Sequence, residues 1–168
     1  RPMISIKLAT SADSKISYSN GISKWITSKL SRKHVHHIRS NYDAILVGSN
    51  TFTADNPSLT VRVDGYEKPI CRVVLDTNLI LRRQSNLIKT INKNPLIIFT
   101  NKSLSSLKAK AYIEKGIKIF YIKKLANGQL CISSIIKKLH ELNYQKILIE
   151  GGAKTASSFL NKGYCDFM

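Results

Sequence analysis

The sequence holds no apolar run approaching the roughly 18 to 20 residues that a membrane-spanning helix needs, so no membrane partner is expected. It is also poor in breakers, with eight glycines and four prolines among 168 residues. Hydrophobic residues make up 43%, which supports a packed core and argues against wholesale disorder. Cysteine is scarce and odd in number. Cys71, Cys131 and Cys165 are widely spaced, and no CxxC or Cys/His cluster is present to hold structural zinc. Free thiols in a reducing cytoplasm are the simplest expectation. The first residues, Arg1-Pro2 followed by a strand-like segment with charges and hydroxyls, do not read as a signal peptide. One soluble domain of ordinary size over residues 1–168 is expected.

Acidic residues are few as well: 10 against 27 basic ones, a formal balance of +17. Such a field attracts anions, and nucleic acid, an anionic surface and phosphorylated small molecules all fit it. The basic residues are 20 lysines and only 7 arginines, scattered without a block of five or six. Lysine, isoleucine and asparagine are abundant together, so a general composition bias stands beside a specific polyanion site as an explanation. The lysine excess is the wrong balance for bidentate base readout, and a nucleic-acid partner is not expected.

Periodicity gives alternating strands and helices. Met3 to Ala9 alternates as a half-buried strand does. Thr27 is placed as the cap of a helix running to Ser40, with Leu30, His34 and Ile38 on one face. His34, His36 and His37 lack the i, i+4 spacing of a helical metal pair and read as a polar helix face. Ala44 to Val47 is a short buried strand, and Thr51 to Arg62 reads as a loop around Asp55-Asn56-Pro57. Ile70 to Leu75 and Leu96 to Phe99 are strands buried on both faces, while Thr77 to Asn94 fits neither period. A helix over Leu104 to Glu114, a strand over Ile117 to Ile122 and a helix capped by Ser133 follow. Lys146 to Ile149 is a strand, and Glu150-Gly151-Gly152 turns into a helix over Ala153 to Leu160. This order predicts an α/β domain with a mostly parallel sheet flanked by helices.

The strand–Gly-Gly–helix turn at Ile147 to Ala153 is the most informative segment. Glycines let a ligand approach the backbone, and the open N–H groups of a helix start favour phosphate. A tight turn needing glycine only for its backbone angles fits equally well. The segment matches neither GxGxxG nor a P-loop. Glu150 ends an apolar strand, where a carboxylate requires a ligand N–H donor or a basic side chain as partner. Trp25, the only tryptophan, lies among polar residues and either anchors a core or stacks on a flat ring. Arg39 and Arg62 have the planar fork that suits a phosphate ester.

Four segments carry a family resemblance: RPMISIKLATSADSKIS, GISKWIT, DAILVGSNTFTADNPSLTVR and LIEGGAKTASSFLNKGYCDFM, with RVVLD at Arg72 to Asp76 as a weaker fifth. Together they resemble the reductase domain of the bifunctional riboflavin-biosynthesis deaminase–reductase. The resemblance implies a dihydrofolate-reductase-like fold. It also implies reduction of the ribose of 5-amino-6-(5-phosphoribosylamino)uracil to a ribityl chain, with NADPH as hydride donor.

By the same resemblance Ser23, Arg39, Leu59 and Arg62 are substrate positions, with the arginines facing the sugar phosphate, and Glu150 accepts hydrogen bonds from the aminouracil. Ala9, Trp25, Thr51, Asp55 and Thr77 are cofactor positions. Gly152, Ala153, Lys154, Thr155, Ala156, Ser157 and Ser158 hold the pyrophosphate. Lys7 is implied near the ribose carbonyl, binding it or supplying a proton. The partners implied are a phosphorylated pyrimidine, a zinc deaminase domain and further copies in a homo-oligomer. A same-fold reductase of another pterin-like or pyrimidine substrate, and a basic nucleic-acid-binding module, are the competing readings.

Three departures from the family pattern stand out. Ser14 replaces the usual glycine of a DG(R/K) turn, Ile22 replaces glutamate, and Thr77-Asn78 replaces a Ser-Arg pair that bears on NADPH over NADH. Family members also continue past YCDFM with further strands, so a reductase domain shortened at its C-terminus is expected.

Overall fold

Strands whose residues are apolar at every position have to be covered on both faces, and the core shows how. In the computed structural model, which describes residues 1–16, 26–63 and 65–168, Ala44, Leu46, Val73, Ile97 and Phe99 point to one side of the sheet. Ile45, Val47, Val74, Leu96 and Ile98 point to the other. The period of two thus splits each run between two separate cores.

The strands are β1 (Met3–Ile6), β2 (Ala44–Gly48), β3 (Val61–Val63), β4 (Tyr66–Lys68), β5 (Cys71–Leu75), β6 (Leu96–Thr100), β7 (Lys118–Tyr121) and β8 (Lys146–Ile149). Six form one sheet in the order β1-β8-β2-β5-β6-β7, parallel throughout, and β3 and β4 form a separate antiparallel pair. The helices are α1 (Lys29–Ser40), α2 (Ser49–Asp55), α3 (Asn86–Lys89), α4 (Leu107–Ile113), α5 (Ile132–Glu141) and α6 (Ala153–Leu160). Buried Ile132, Ile135, Ile136 and Leu139 of α5 and Ala156 and Phe159 of α6 fill one core. Phe52 of α2, Leu87 and Ile88 of α3 and Ala109 and Tyr112 of α4 fill the other.

β8 is the last strand in sequence but lies between β1 and β2. The chain runs outward from β2 through β5 and β6 to β7, then crosses back to insert β8 beside β1, and ligands of open α/β sheets gather at the carboxyl ends of strands where such connections diverge. Lys7, Gly48 and Glu150 all stand at that edge, because Ile6 pairs with Ile149 and Leu46 pairs with the same residue.

Several expectations need correction. β1 stops at Ile6 and is buried rather than alternating, since Ser5 is covered along with Ile4 and Ile6. Ser28, not Thr27, caps α1, accepting the Ser31 N–H at 3.1 Å. Leu30 is 77% exposed and no residue of α1 is buried, so the stripe Leu30, His34, Ile38 is not a core face. The stretch Thr51 to Arg62 is not all loop: it holds most of α2 and enters β3. Asn56, with φ of 42°, ends α2 in the left-handed conformation, so Asp55-Asn56-Pro57 stops a helix. Thr77 to Asn94 contains the single turn α3. Helix α4 is shorter than expected and capped by Ser106, and α5 starts after Cys131, which places Ser133 inside it. Among the described residues no helix is long and apolar enough to cross a membrane.

Candidate functional site

Two cavities open at the carboxyl end of the sheet and share a wall. The smaller, about 390 Å³, lies between the starts of α2 and α6, with Thr77 and the Gly128–Leu130 turn closing its far side. The larger, about 670 Å³, is lined by Lys7, His36, Arg39, Leu59 and Glu150 among others. Asn50, Thr51 and Gly152 border both. The wall is tied across by the Gly152 N–H, which donates to Thr51 Oγ1 at 3.1 Å.

The smaller cavity fits a phosphate-bearing ligand by its construction. Helix α6 begins at Gly152 with no side-chain cap and no acidic residue in its first turn, and α2 begins at Gly48 in the same way. Uncapped first-turn N–H groups and the positive helix end favour an anionic group such as a phosphate. The two helix starts can meet because both contacts on Thr155 are glycines. A Cβ on Gly151 would lie 2.6 Å from Thr155 Cβ, and one on Gly48 would strike the Thr155 hydroxyl. Any other residue would push the cradle apart.

Thr77 is held at the rim of this cavity by Asp76. The fully buried Asp76 carboxylate accepts the N–H groups of Ile80 and Leu81 at 2.9 and 2.8 Å. Burial raises its pKa, and those two donors pull it back. The Thr77 carbonyl accepts the Asn101 N–H at 3.1 Å, so the turn is fixed to the end of β6 as well.

The larger cavity is organised around Glu150. Arg39 holds it with a two-point fork, Nε to Oε1 at 2.6 Å and Nη2 to Oε2 at 3.0 Å. The third arm of the guanidinium, Nη1, donates to the Thr60 carbonyl at 2.9 Å. Lys7 Nζ stands 4.0 Å from Oε2. The side chains are 14% and 9% exposed for Arg39 and Glu150, so the pair is shielded from water and more strongly coupled than a surface pair. The half-buried carboxylate at the strand end has its basic partner, and part of its acceptor capacity still faces the cavity.

A second guanidinium, this one fully buried, fixes the loop in front of this cavity. Arg72, fully buried on β5, donates to the Ser58 carbonyl, to Thr90 Oγ1 and to the Asn94 carbonyl. Burial presses its pKa down to about 10. Asn86 grips Asn56 from the same side through two hydrogen bonds of 2.9 and 2.7 Å. These contacts hold Leu59 in the left-handed conformation, φ 51°, at the cavity wall.

The candidate residues divide between the cavities. Gly152, Ala153, Lys154, Thr155, Ser158 and Thr77 line the smaller one. Ala156 is buried in the core and Ser157 is exposed, and neither lines it. Ala9 and Asp55 border the larger cavity, and Thr51 borders both. Lys7, Arg39, Leu59 and Glu150 meet in the larger one, whereas Arg62 stands off its wall, its N–H donating to His36 Nδ1. Ser23 and Trp25 lie outside the described residues, as does Ile22. Sequence reasoning missed His36, Gly48 and the Gly128–Leu130 turn. Only Gly48, a glycine ending an apolar strand, carried a local signal. Among the described residues no group of three or more His, Cys, Asp or Glu side chains could hold a metal.

This geometry has relatives. Residues 2–168 match the family described as the RibD C-terminal domain. The riboflavin biosynthesis protein RibD of Aquifex aeolicus is 39% identical over 166 residues, 99% of this chain and 44% of that protein. A crystal structure from Thermotoga maritima, named a diaminohydroxyphosphoribosylaminopyrimidine deaminase/5-amino-6-(5-phosphoribosylamino)uracil reductase, superposes with a TM-score of 0.77 at 32% identity. The superposition covers 96% of this chain and 42% of that one. Acinetobacter baumannii RibD shares the fold, with a TM-score of 0.80 at 24% identity over 98% of this chain and 44% of that one. The chain thus spans less than half the length of the curated relatives it matches. Matched over nearly its whole length, the chain belongs to the RibD C-terminal domain family.

Proposed function

We propose that the chain reduces the ribose of 5-amino-6-(5-phosphoribosylamino)uracil to the ribitylamino product of riboflavin biosynthesis, with NADPH as reductant. One observation carries this reading: a cradle of uncapped helix starts shares the Thr51–Gly152 wall with a cavity built around Glu150, Arg39 and Lys7. Two ligands seated in adjoining chambers meet at that wall, which is the proximity a bimolecular transfer requires.

The smaller cavity would hold the dinucleotide through the α6 N-terminus, Lys154, Thr155 and Ser158, with Thr77 at the rim. When bound, the nicotinamide supplies the hydride that reduces C1′ of the opened ribose. The protein's own part is position and charge. Glu150, oriented by Arg39, accepts N–H donors of the aminouracil. Lys7 Nζ holds the proton that balances the added hydride. Arg39 and Arg62 remain the proposed contacts of the sugar phosphate, with Leu59 beside them. With its fork on Glu150 closed, Arg39 still has one N–H on each of Nη1 and Nη2 for a phosphate. NADPH is preferred over NADH in this reading although Thr77-Asn78 replaces the usual Ser-Arg pair.

The three free cysteines suit the cytoplasm. A zinc deaminase domain, of the kind named with the Thermotoga protein, and further copies of the chain are the proposed partners. Calorimetric titration with NADPH tests the reading. Saturable one-site binding, weakened by T51V and stronger than for NADH, is expected; no heat at millimolar NADPH would refute it.

A further inference from the structure

His34, His36 and His37 come close together in sequence, and the structure gives the middle one a separate place. His36 lies one turn before Arg39 on α1, half-buried, with its ring in the wall of the larger cavity. Its Nδ1 accepts the backbone N–H of Arg62 at 3.1 Å. The neighbouring Thr60 carbonyl is taken by Arg39 Nη1 at 2.9 Å. Helix α1 and strand β3 are therefore joined at two adjacent points, and the chain between Leu59 and Arg62 hangs from both.

A neutral imidazole has one lone-pair nitrogen and one N–H. Accepting from Arg62 assigns the lone pair to Nδ1 and the proton to Nε2. A doubly protonated ring presents an N–H toward the Arg62 N–H, donor against donor, and this contact is lost. We propose that His36 is a positioning residue, a neutral latch that holds the Leu59–Arg62 segment against α1 and so sets substrate affinity in the larger cavity. This rests on reading that cavity as the substrate site.

The surroundings keep the ring neutral. Burial contributes most, and the cations of Arg39 on the same helix and Arg62 on β3 add to it, so the pKa lies below the ordinary value. The Thr60 carbonyl and Glu150, which follows β8, act the other way and are outweighed. Among the described residues, Arg32 on α1, Lys7 after β1 and Asp55 at the end of α2 are the other charged groups lining this cavity. The latch is thus closed at neutral pH and opens as pH falls through the depressed pKa.

The test has two parts, both on the whole chain. Long-range proton–nitrogen NMR reads the tautomer: Nδ1 unprotonated at pH 7.5 is expected, and a proton there overturns the proposal. Steady-state kinetics then compares wild type, H36N and H36F. The substrate phosphate itself titrates near pH 6, so the difference between proteins is the readout. Wild-type KM should rise up to about tenfold per pH unit below the His36 midpoint, beyond the rise in H36N, whose amide oxygen accepts but does not titrate in this range. H36F should show a raised KM at every pH, with kcat changed less, and H36N should recover part of the loss. Parallel pH profiles for wild type and H36N, or an unchanged KM in H36F, overturn the latch. If wild type reduces nothing at all, the proposed function fails, and the NMR tautomer with its pH midpoint alone decides the latch.

Discussion

Arg39 and Glu150, 111 positions apart in sequence, meet as a two-point ion pair of 2.6 and 3.0 Å at the mouth of the parallel sheet. Few single contacts connect so much of the fold, since the same guanidinium also ties α1 to Thr60. Removing one partner leaves the other largely shielded from water and without its main counter-charge. Glu150→Ala should lower stability by about 3 kcal/mol. The double variant R39A/E150A should lose less than the sum of the singles, a coupling of about 1–3 kcal/mol by chemical denaturation. Glu150→Gln keeps shape but loses charge, and should raise substrate KM by roughly 10- to 100-fold.

The glycine cradle gives a second expectation. Gly48→Ala puts a methyl group against the Thr155 hydroxyl, while Thr155 Cβ would stand at an acceptable 3.6 Å. Thr155 has little freedom to rotate away, because Gly151 packs on it as well. G48A alone should cost about 1–3 kcal/mol and weaken cofactor binding. Adding T155A should restore most of the stability. Equal losses in the single and double variants would show that the crowding is misassigned.

Ser14 has φ of 61°, the left-handed conformation, at the position where the family resemblance expects glycine. A side chain there carries backbone strain that glycine does not. Ser14→Gly should gain about 0.5–1 kcal/mol, a rise in melting temperature of roughly 2 °C.

Acid sensitivity follows from Asp166. Arg1 donates both guanidinium arms to it at 2.7 Å, the Ile4 N–H adds a third bond at 2.8 Å, and its pKa is drawn down to about 2. The folded pKa lies below the ordinary carboxylate value of about 3.9. The contribution to stability is therefore complete above that value and disappears as pH falls toward about 2. The melting temperature of wild type should fall more steeply across that window than that of D166N, and the two curves should converge at its acid end.

Much of this architecture could be read from residue patterns. β8 and α6 appear where the apolar run, two glycines and a helical period succeed one another. α2 escaped because its seven residues bury only Phe52 and show no apolar period. β4 escaped because all three of its residues are exposed, and α3 because it is a single turn. The site was legible only as residue types. Glu150 signalled that a buried carboxylate needs a partner, but nothing local named Arg39. His36 carried no signal at all, since its role depends on the Arg62 backbone arriving from β3.

Transfer of label from NADPH carrying deuterium at both C4 positions of the nicotinamide to the ribityl C1′, followed by mass spectrometry of the product, tests the proposed reduction most directly. One deuterium per product molecule is expected, with turnover falling steeply in E150A and G48A. Product formed without the label, or no turnover with both ligands saturating and the fold intact, would contradict it.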